Sequence, residues 1–323
     1  MNAFCQMRRA VRWLLLAGLF LGAILPGRAD DRPSAATIAD GVEFVRGITF
    51  GEADGQPLLL DLAQPKDGTG PFPALVFVHG GGWAAGDRSA YHGMLLGCAK
   101  LGIVCVSVDY RLAPRFRFPS QLEDVKCAVR WVRANAAKYH VDAARIGAVG
   151  GSAGAHLVGL LGTTGGSGKW EGMGGNAGES SAVCLMICHG IPADLLLGYE
   201  HTPRQAAAEG AAARRMLGAF LGGTPAEVRS AYLDASPVQH VSAATPPALL
   251  LHGTADPLVP IEQAEVFAAA LEKAGVPVEL LRMAGAGHAD FGREPDKVLA
   301  RMRAFLDKYL LHPAEVAAPV GGR

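Results

Sequence analysis

Hydrophobic and polar positions divide the chain into two regimes. Glu43 to Phe50 and Pro57 to Ala63 read as two strands, and the Asp54-Gly55 pair between them predicts a tight hairpin. Beyond them, short apolar runs alternate with helical stretches. Ala74–Val78, Ile103–Val108, Arg145–Val149, Ala182–Cys188, Ala248–Leu251 and Val278–Met283 are short apolar runs, the first rich in branched and aromatic residues, as strands buried on both faces require. A helix beginning near Ser120 carries apolar residues at 122, 125, 129 and 132, and the Ser120/Glu123 spacing predicts a capping box at its start. A second helix opens near Pro260 and stops at Gly275, and a last one aligns Val298, Met302, Phe305 and Tyr309. Strands alternating with helices predict an α/β fold, a mainly parallel central sheet with helices on both faces.

Two segments break the alternation. Residues 164–181 are Gly-rich and predict a flexible loop, whereas residues 191–241 contain helical pieces around Ala206–Phe220 and Ala226–Leu233, and both are expected as excursions near a functional site. An insertion of that length after a core strand reads either as a lid-like excursion over a site or as a structural decoration. With no linker to divide the chain, residues 43–311 form one expected domain, flanked by flexible segments at 30–42 and 312–323.

Composition refines this picture. The 323 residues are half hydrophobic and 19% charged, which excludes a disordered chain, and 42 glycines without a triplet period exclude a collagen-like fibre. The balance of 30 Lys+Arg against 30 Asp+Glu argues against a nucleic-acid partner. That balance depends on the N-terminus. Arg8, Arg9 and Arg12 precede an apolar run of 13 residues, Trp13 to Leu25, followed by Pro26 and Gly27-Arg28-Ala29. A membrane span needs about 20 apolar residues, so the pattern predicts a secretory signal peptide at residues 1–29, cleaved after Ala29, and no stable span afterwards. Removing it takes away four arginines and no acid, leaving a net charge of −4 on the mature chain. Cys98, Cys105, Cys127, Cys184 and Cys188 remain, an odd number that leaves at least one thiol unpaired. Cys184 and Cys188 are expected on one face of a strand, too far apart to bond each other. No Cys/His spacing suggests a metal site, and neither metal nor cofactor is expected.

The chemistry concentrates where strands end. Gly150-Gly151-Ser152-Ala153-Gly154 lies between a strand and a helix, the setting of a nucleophile elbow. His79-Gly80-Gly81-Gly82-Trp83 follows another strand; its glycines free consecutive backbone N–H groups to meet a negative oxygen, and the N–H of Ala153 supplies a further donor. His79 itself reads as a structural hydrogen-bonder. A serine nucleophile needs a base and an orienting acid, here expected in the chain order Ser, acid, His. Asp256 ends the Leu251–Asp256 segment after one strand, and His288 ends Gly285-Ala286-Gly287-His288 after the next. Asp290 and Glu262 are rival acids, though neither ends a core strand. The other nine histidines lack that combination of order and location.

HGGGW at 79–83, VDYRLAP at 108–114, GGSAG at 150–154, HGTAD at 252–256 and GAGH at 285–288 together resemble an α/β-hydrolase superfamily serine esterase. The wording of HGGGW, FPSQLEDVKCAVRWVRANA and HGTAD is similar to the bifunctional feruloyl/acetylxylan esterase-like group. The resemblance implies an α/β-hydrolase fold over roughly residues 43–310, a Ser152–His288–Asp256 triad, and Gly81, Gly82 and Ala153 as oxyanion donors. It implies hydrolysis of exported small or polymer-borne esters (acetyl, feruloyl or short-to-medium acyl) through an acyl-enzyme. GGSAGAH is also similar to arylformamidases, so an amide or formamide hydrolase remains an alternative. A catalytically dead binding module is the third reading, although every catalytic part is present.

Overall fold

In the computed structural model the described residues are 37–201, 207–288, 290 and 294–313. The expected signal peptide, most of the 30–42 segment and nearly all of the 312–323 tail lie outside them. The strands are β1 (Thr37–Ala39), β2 (Val42–Ala53), β3 (Gln56–Pro65), β4 (Phe72–Val78), β5 (Val104–Val108), β6 (Val141–Gly151), β7 (Met186–His189), β8 (Ala248–Gly253) and β9 (Val278–Met283). They form one sheet in the order β1-β2-β3-β5-β4-β6-β7-β8-β9. The β1–β2, β2–β3 and β3–β5 pairings are antiparallel, and every pairing from β5 to β9 is parallel. The described part of the 30–42 segment is therefore paired rather than loose. Asp54 and Gly55 both take positive φ, 51° and 70°, as the two-residue hairpin requires.

Eight α-helices are described: α1 (His92–Ala99), α2 (Ser120–Ala134), α3 (Ala153–Thr164), α4 (Leu195–His201), α5 (Ala207–Leu221), α6 (Pro225–Asp234), α7 (Glu262–Lys273) and α8 (Pro295–Leu306). The strand pleat sorts the core into two layers. Ala74, Val76 and Val78 of β4 face one cluster, with Leu122 and Val125 of α2, Leu157 and Leu160 of α3, and Phe267 and Leu271 of α7. Leu75 and Phe77 face the other, with Met94 and Leu95 of α1 and Met302 and Phe305 of α8.

Two local expectations fail for identifiable reasons. Pro119, not Ser120, holds the N-cap of α2 without a side-chain bond. Glu123 turns outward to Arg111 Nη2 at 3.1 Å instead of closing a capping box. The β7 strand begins only at Met186, so Cys184 precedes it and packs against the α1/α8 layer, while Cys188 is buried in the opposite one. All five cysteines among the described residues are free, and of these only Cys184 is not fully buried.

The Gly-rich segment is not a flexible cover. Three cationic side chains of α2 hold its backbone: Lys126 Nζ donates to the Thr164 carbonyl at 2.9 Å, Arg130 to those of Glu171 and Gly175 at 2.7 and 3.1 Å, and Arg133 Nη2 to that of Ala182 at 2.7 Å. Glu171 closes the clamp on Lys126 and Arg130 at 3.1 and 2.7 Å. Burial lowers the Lys126 ammonium pKa and the Glu171 charge opposes it.

Candidate active site

Ser152 stands at the turn between β6 and α3 with φ 54° and ψ −123°, a conformation sparsely populated for any residue with a side chain. Its amide donates to the His189 carbonyl at the end of β7, 2.8 Å away, which ties the turn to the sheet. Gly154 is required by close approach: a Cβ there would lie 2.0 Å from the Val78 carbonyl oxygen of β4. Glycine at that position lets α3 start against the end of the neighbouring strand.

The three polar residues expected at strand ends come together. Ser152 Oγ is 2.9 Å from His288 Nε2, and His288 Nδ1 is 2.6 Å from Asp256 Oδ2. Asp256 is supplied by the loop after β8, where Leu258 and Val259 amides each donate to its Oδ1 at 2.9 Å. Its side chain is 1% exposed. Burial works against the charged form, but the His288 bond and charge and the two amides outweigh it, holding the carboxyl below its ordinary range. With both Oδ1 bonds fixed, Asp256 orients the imidazole so that Nε2 faces the serine.

Other histidines sit where they cannot serve as the base. Among them, His252 is fully buried, donates to the Val259 carbonyl at 2.8 Å and lies 3.5 Å from Asp256 Oδ2. His79 stacks on Tyr110 at 4.2 Å and bonds the Gly80 carbonyl at 2.8 Å, the structural role expected of it. His156 accepts the Trp83 indole N–H on Nδ1 at 3.1 Å and donates from Nε2 to the Ala235 carbonyl at 2.7 Å. Burial brings its pKa down to about 4, so it is neutral.

The HGGGW loop borders Ser152. Gly82 has φ +59°, a conformation strained for residues with a side chain, and a Cβ there would meet Met216 Sδ at 2.6 Å unless that side chain moved. Gly82 and Ala153 line a cavity with Ser152; Gly81 does not border it, and its carbonyl instead accepts the Ala84 and Ala85 amides. The Tyr110 hydroxyl donates to the His79 carbonyl at 3.0 Å and the Ala113 amide to that of Trp83 at 2.8 Å, which holds the loop; two ion-pair clusters that the sequence did not reveal fix the segment carrying these partners. Buried Arg88 bonds Asp61 at 2.9 Å and pairs with Asp109, and Arg111 grips Asp124 of α2. These bonds explain the polar letters of the VDYRLAP segment as architecture.

The cavity measures about 70 Å³ and is mostly apolar, lined on one side by Pro192, Leu195, Met216 and Leu217 and on the other by Leu258, Val259 and Pro260. The 191–241 segment therefore covers the serine, and the Gly-rich segment supplies none of the lining. Trp83 anchors that cover: its ring stacks on Phe220 of α5 at 4.4 Å. The lining residues of α4 and α5 went unrecognised in the sequence because only the fold brings them over β6. Among the described residues, no group of three or more His, Cys, Asp or Glu side chains is arranged for a metal ion. No described helix is long and apolar enough to cross a membrane.

The profile of the BD-FAE family matches residues 60–271, and that of the TAP-like protein family matches residues 228–315. Esterase LipC of Mycobacterium tuberculosis is 35% identical over 246 residues, covering 75% of this chain and 59% of the relative, so the chain spans little more than half of that protein's length. A truncated carbohydrate esterase from gut microbiota superimposes with a TM-score of 0.69 at 25% identity, covering 88% of this chain and 99% of that one. Esterase Est2 of Thermogutta terrifontis, solved with propionate bound, gives 0.67 at 30% identity over 87% and 97%.

Proposed function

The chain belongs to the BD-FAE family of α/β-hydrolase esterases, and we propose that it is an exported serine carboxylesterase for short acyl groups, working through an acyl-enzyme. One observation carries the reading: the unbroken contact Ser152–His288–Asp256 at 2.9 and 2.6 Å beside an apolar cavity. Ser152 Oγ attacks the ester carbonyl while His288 Nε2 takes its proton, and Asp256 stabilises the imidazolium that forms. The developing oxyanion is met by the amides of Ala153 and Gly82, with Gly81 as the third candidate donor from the same loop. His288 then protonates the leaving alcohol, and a water activated by the same imidazole releases the acid.

A cavity of about 70 Å³ is roughly five times the ~10–15 Å³ that admits one water. It suits an acyl group of a few heavy atoms better than a long chain. The propionate of the Thermogutta enzyme and the carbohydrate esterase among the structural relatives agree with a short acyl group, including one carried on a polysaccharide. Export rests on the first 29 residues alone; a mature chain whose mass still included them would remove it.

Ser152→Ala tests the mechanism. The expected result is a loss of p-nitrophenyl acetate turnover by about 10⁴-fold or more, with an unchanged unfolding midpoint. Turnover equal to wild type would overturn the assignment, and p-nitroacetanilide in parallel separates ester from amide hydrolysis.

A further inference from the structure

Gln263 is the one side-chain amide that borders the cavity, and it is almost completely buried, 1% exposed. It projects from the first turn of α7. Its Oε1 accepts the Asp194 amide at 2.8 Å, which fixes the orientation of the carboxamide and leaves Nε2 on the other side. Nε2 has no hydrogen-bond partner among the described residues. A Cβ placed on Gly198, itself a cavity residue, would lie 3.5 Å from that nitrogen. Nε2 therefore lies just beneath the cavity wall at Gly198, where a side chain would bar it from a ligand.

The rest of the lining offers such a donor little. Pro192, Leu195, Met216, Leu217, Leu258 and Val259 have no nitrogen or oxygen in their side chains. The Trp83 indole N–H is already spent on His156. The Ser152 hydroxyl belongs to the reaction. A buried N–H left without an acceptor carries its full desolvation cost, and a ligand that supplies the acceptor recovers it.

From this we infer that Gln263 is a specificity-determining residue: it donates to an acceptor oxygen on the pocket-side group of the substrate. The favoured esters therefore carry a carbonyl, ether or hydroxyl oxygen within a few atoms of the scissile bond, in place of a plain hydrocarbon chain. This rests on the esterase reading and narrows its substrate class. The oxygen lies on the acyl group or on the alcohol, and both sources present the same chemistry to Nε2.

Matched pairs distinguish them. On the acyl side, p-nitrophenyl 4-oxopentanoate is compared with the pentanoate, and the methoxyacetate with the butyrate. On the alcohol side, 2-methoxyethyl acetate is compared with butyl acetate. Each kcat/KM is divided by the rate of alkaline hydrolysis to remove intrinsic reactivity. Wild type is expected to favour the oxygen-bearing member of at least one pair by about tenfold to a hundredfold, the usual penalty range for leaving a buried donor unpaired. Gln263→Leu and Gln263→Met, which keep the bulk and remove the donor, are expected to abolish or reverse that preference. Both members of a pair meet the same folded fraction, so the ratio is insensitive to any loss of folded enzyme. A flat ratio in every pair, or a preference that survives in both variants, overturns the inference while the esterase reading stands. Absence of hydrolysis of every ester overturns the esterase reading itself.

Discussion

Residues 165–181 and 191–241 both interrupt the strand–helix alternation, yet they are fastened by opposite physics. The first is held by charge: Lys126 and Arg130, 0% and 1% exposed, grip its carbonyls and its Glu171. The second is held by apolar packing, with Phe220 fully buried against Trp83 and Leu195, Leu217 and Tyr232 in the same cluster. Abundant glycine therefore does not make a segment mobile when its backbone acceptors are met by buried cations. The comparison also separates roles, because only the apolar attachment joins the Ser152 cavity.

Cutting the apolar attachment is the harshest way to test that separation. Phe220→Ala is expected to cost ~3–5 kcal/mol, as for other buried aromatic truncations, read from denaturant unfolding. Because Phe220 stacks on the tryptophan of the HGGGW loop, the surviving folded enzyme is expected to lose roughly tenfold or more in kcat/KM through misplacement of the loop. Glu171→Ala cuts the charged attachment and strands two buried cations. Its expected cost is about 3 kcal/mol, the low end for breaking a buried ion pair, because the carboxylate retains 28% exposure. Here kcat/KM of the folded enzyme is expected to stay within about twofold of wild type. Equal catalytic losses in both variants would dissolve the distinction.

Acid provides the gentlest test. His156 ties the apolar cover to Trp83, and its pKa is about 4, as is that of buried His189. Both lie below the ordinary 6.5, so the unfolded chain binds these protons first. Their contribution to stability is full above about pH 6.5 and is lost as the pH falls toward 4, with a slope of ~1.4 kcal/mol per pH unit for each histidine. Charging His156 also removes the Nδ1 lone pair that accepts from Trp83. Glu171 behaves differently: burial disfavours its charge, but Ser181 and Lys126 hold it below the usual carboxylate range, so the clamp persists until more acidic pH. His156→Gln is expected to remove one proton's worth of the unfolding slope between pH 6 and 4.5. An unchanged slope would detach His156 from the acid response.

The contrast also explains what was legible in the sequence. The residues now grouped around Ser152 were readable because glycines mark strand ends and chain order restricts the choice. Asp256 and His288 need no distant information to be recognised as candidates. The clamp was hidden because Lys126 and Arg130 occupy what an isolated amphipathic helix would give to solvent, and only the loop beyond α3 covers them. Gln263 was hidden similarly. In the first turn of α7 it reads as an ordinary polar position until the Asp194 amide, 69 residues earlier, reaches its carbonyl oxygen. Capping failed at Ser120 because Arg111, a non-local partner, competes for Glu123. In each case a local rule yielded to a contact that the chain order does not display.

The free cysteines set a clock on the folded molecule. Burial pushes the thiols of Cys105, Cys127 and Cys188 up and that of Cys184 to about 11, so while the sheet is intact almost none is present as reactive thiolate. Opening the chain returns these four to ordinary acidity at the same moment, with no native pairing to guide them. In air, each such opening then competes with oxidation into mispaired and intermolecular bonds, from which refolding does not recover the original molecule. Shelf life is thus governed by how often the chain opens rather than by its balance of folded and unfolded forms. A reducing buffer would lengthen it without making the fold any more stable.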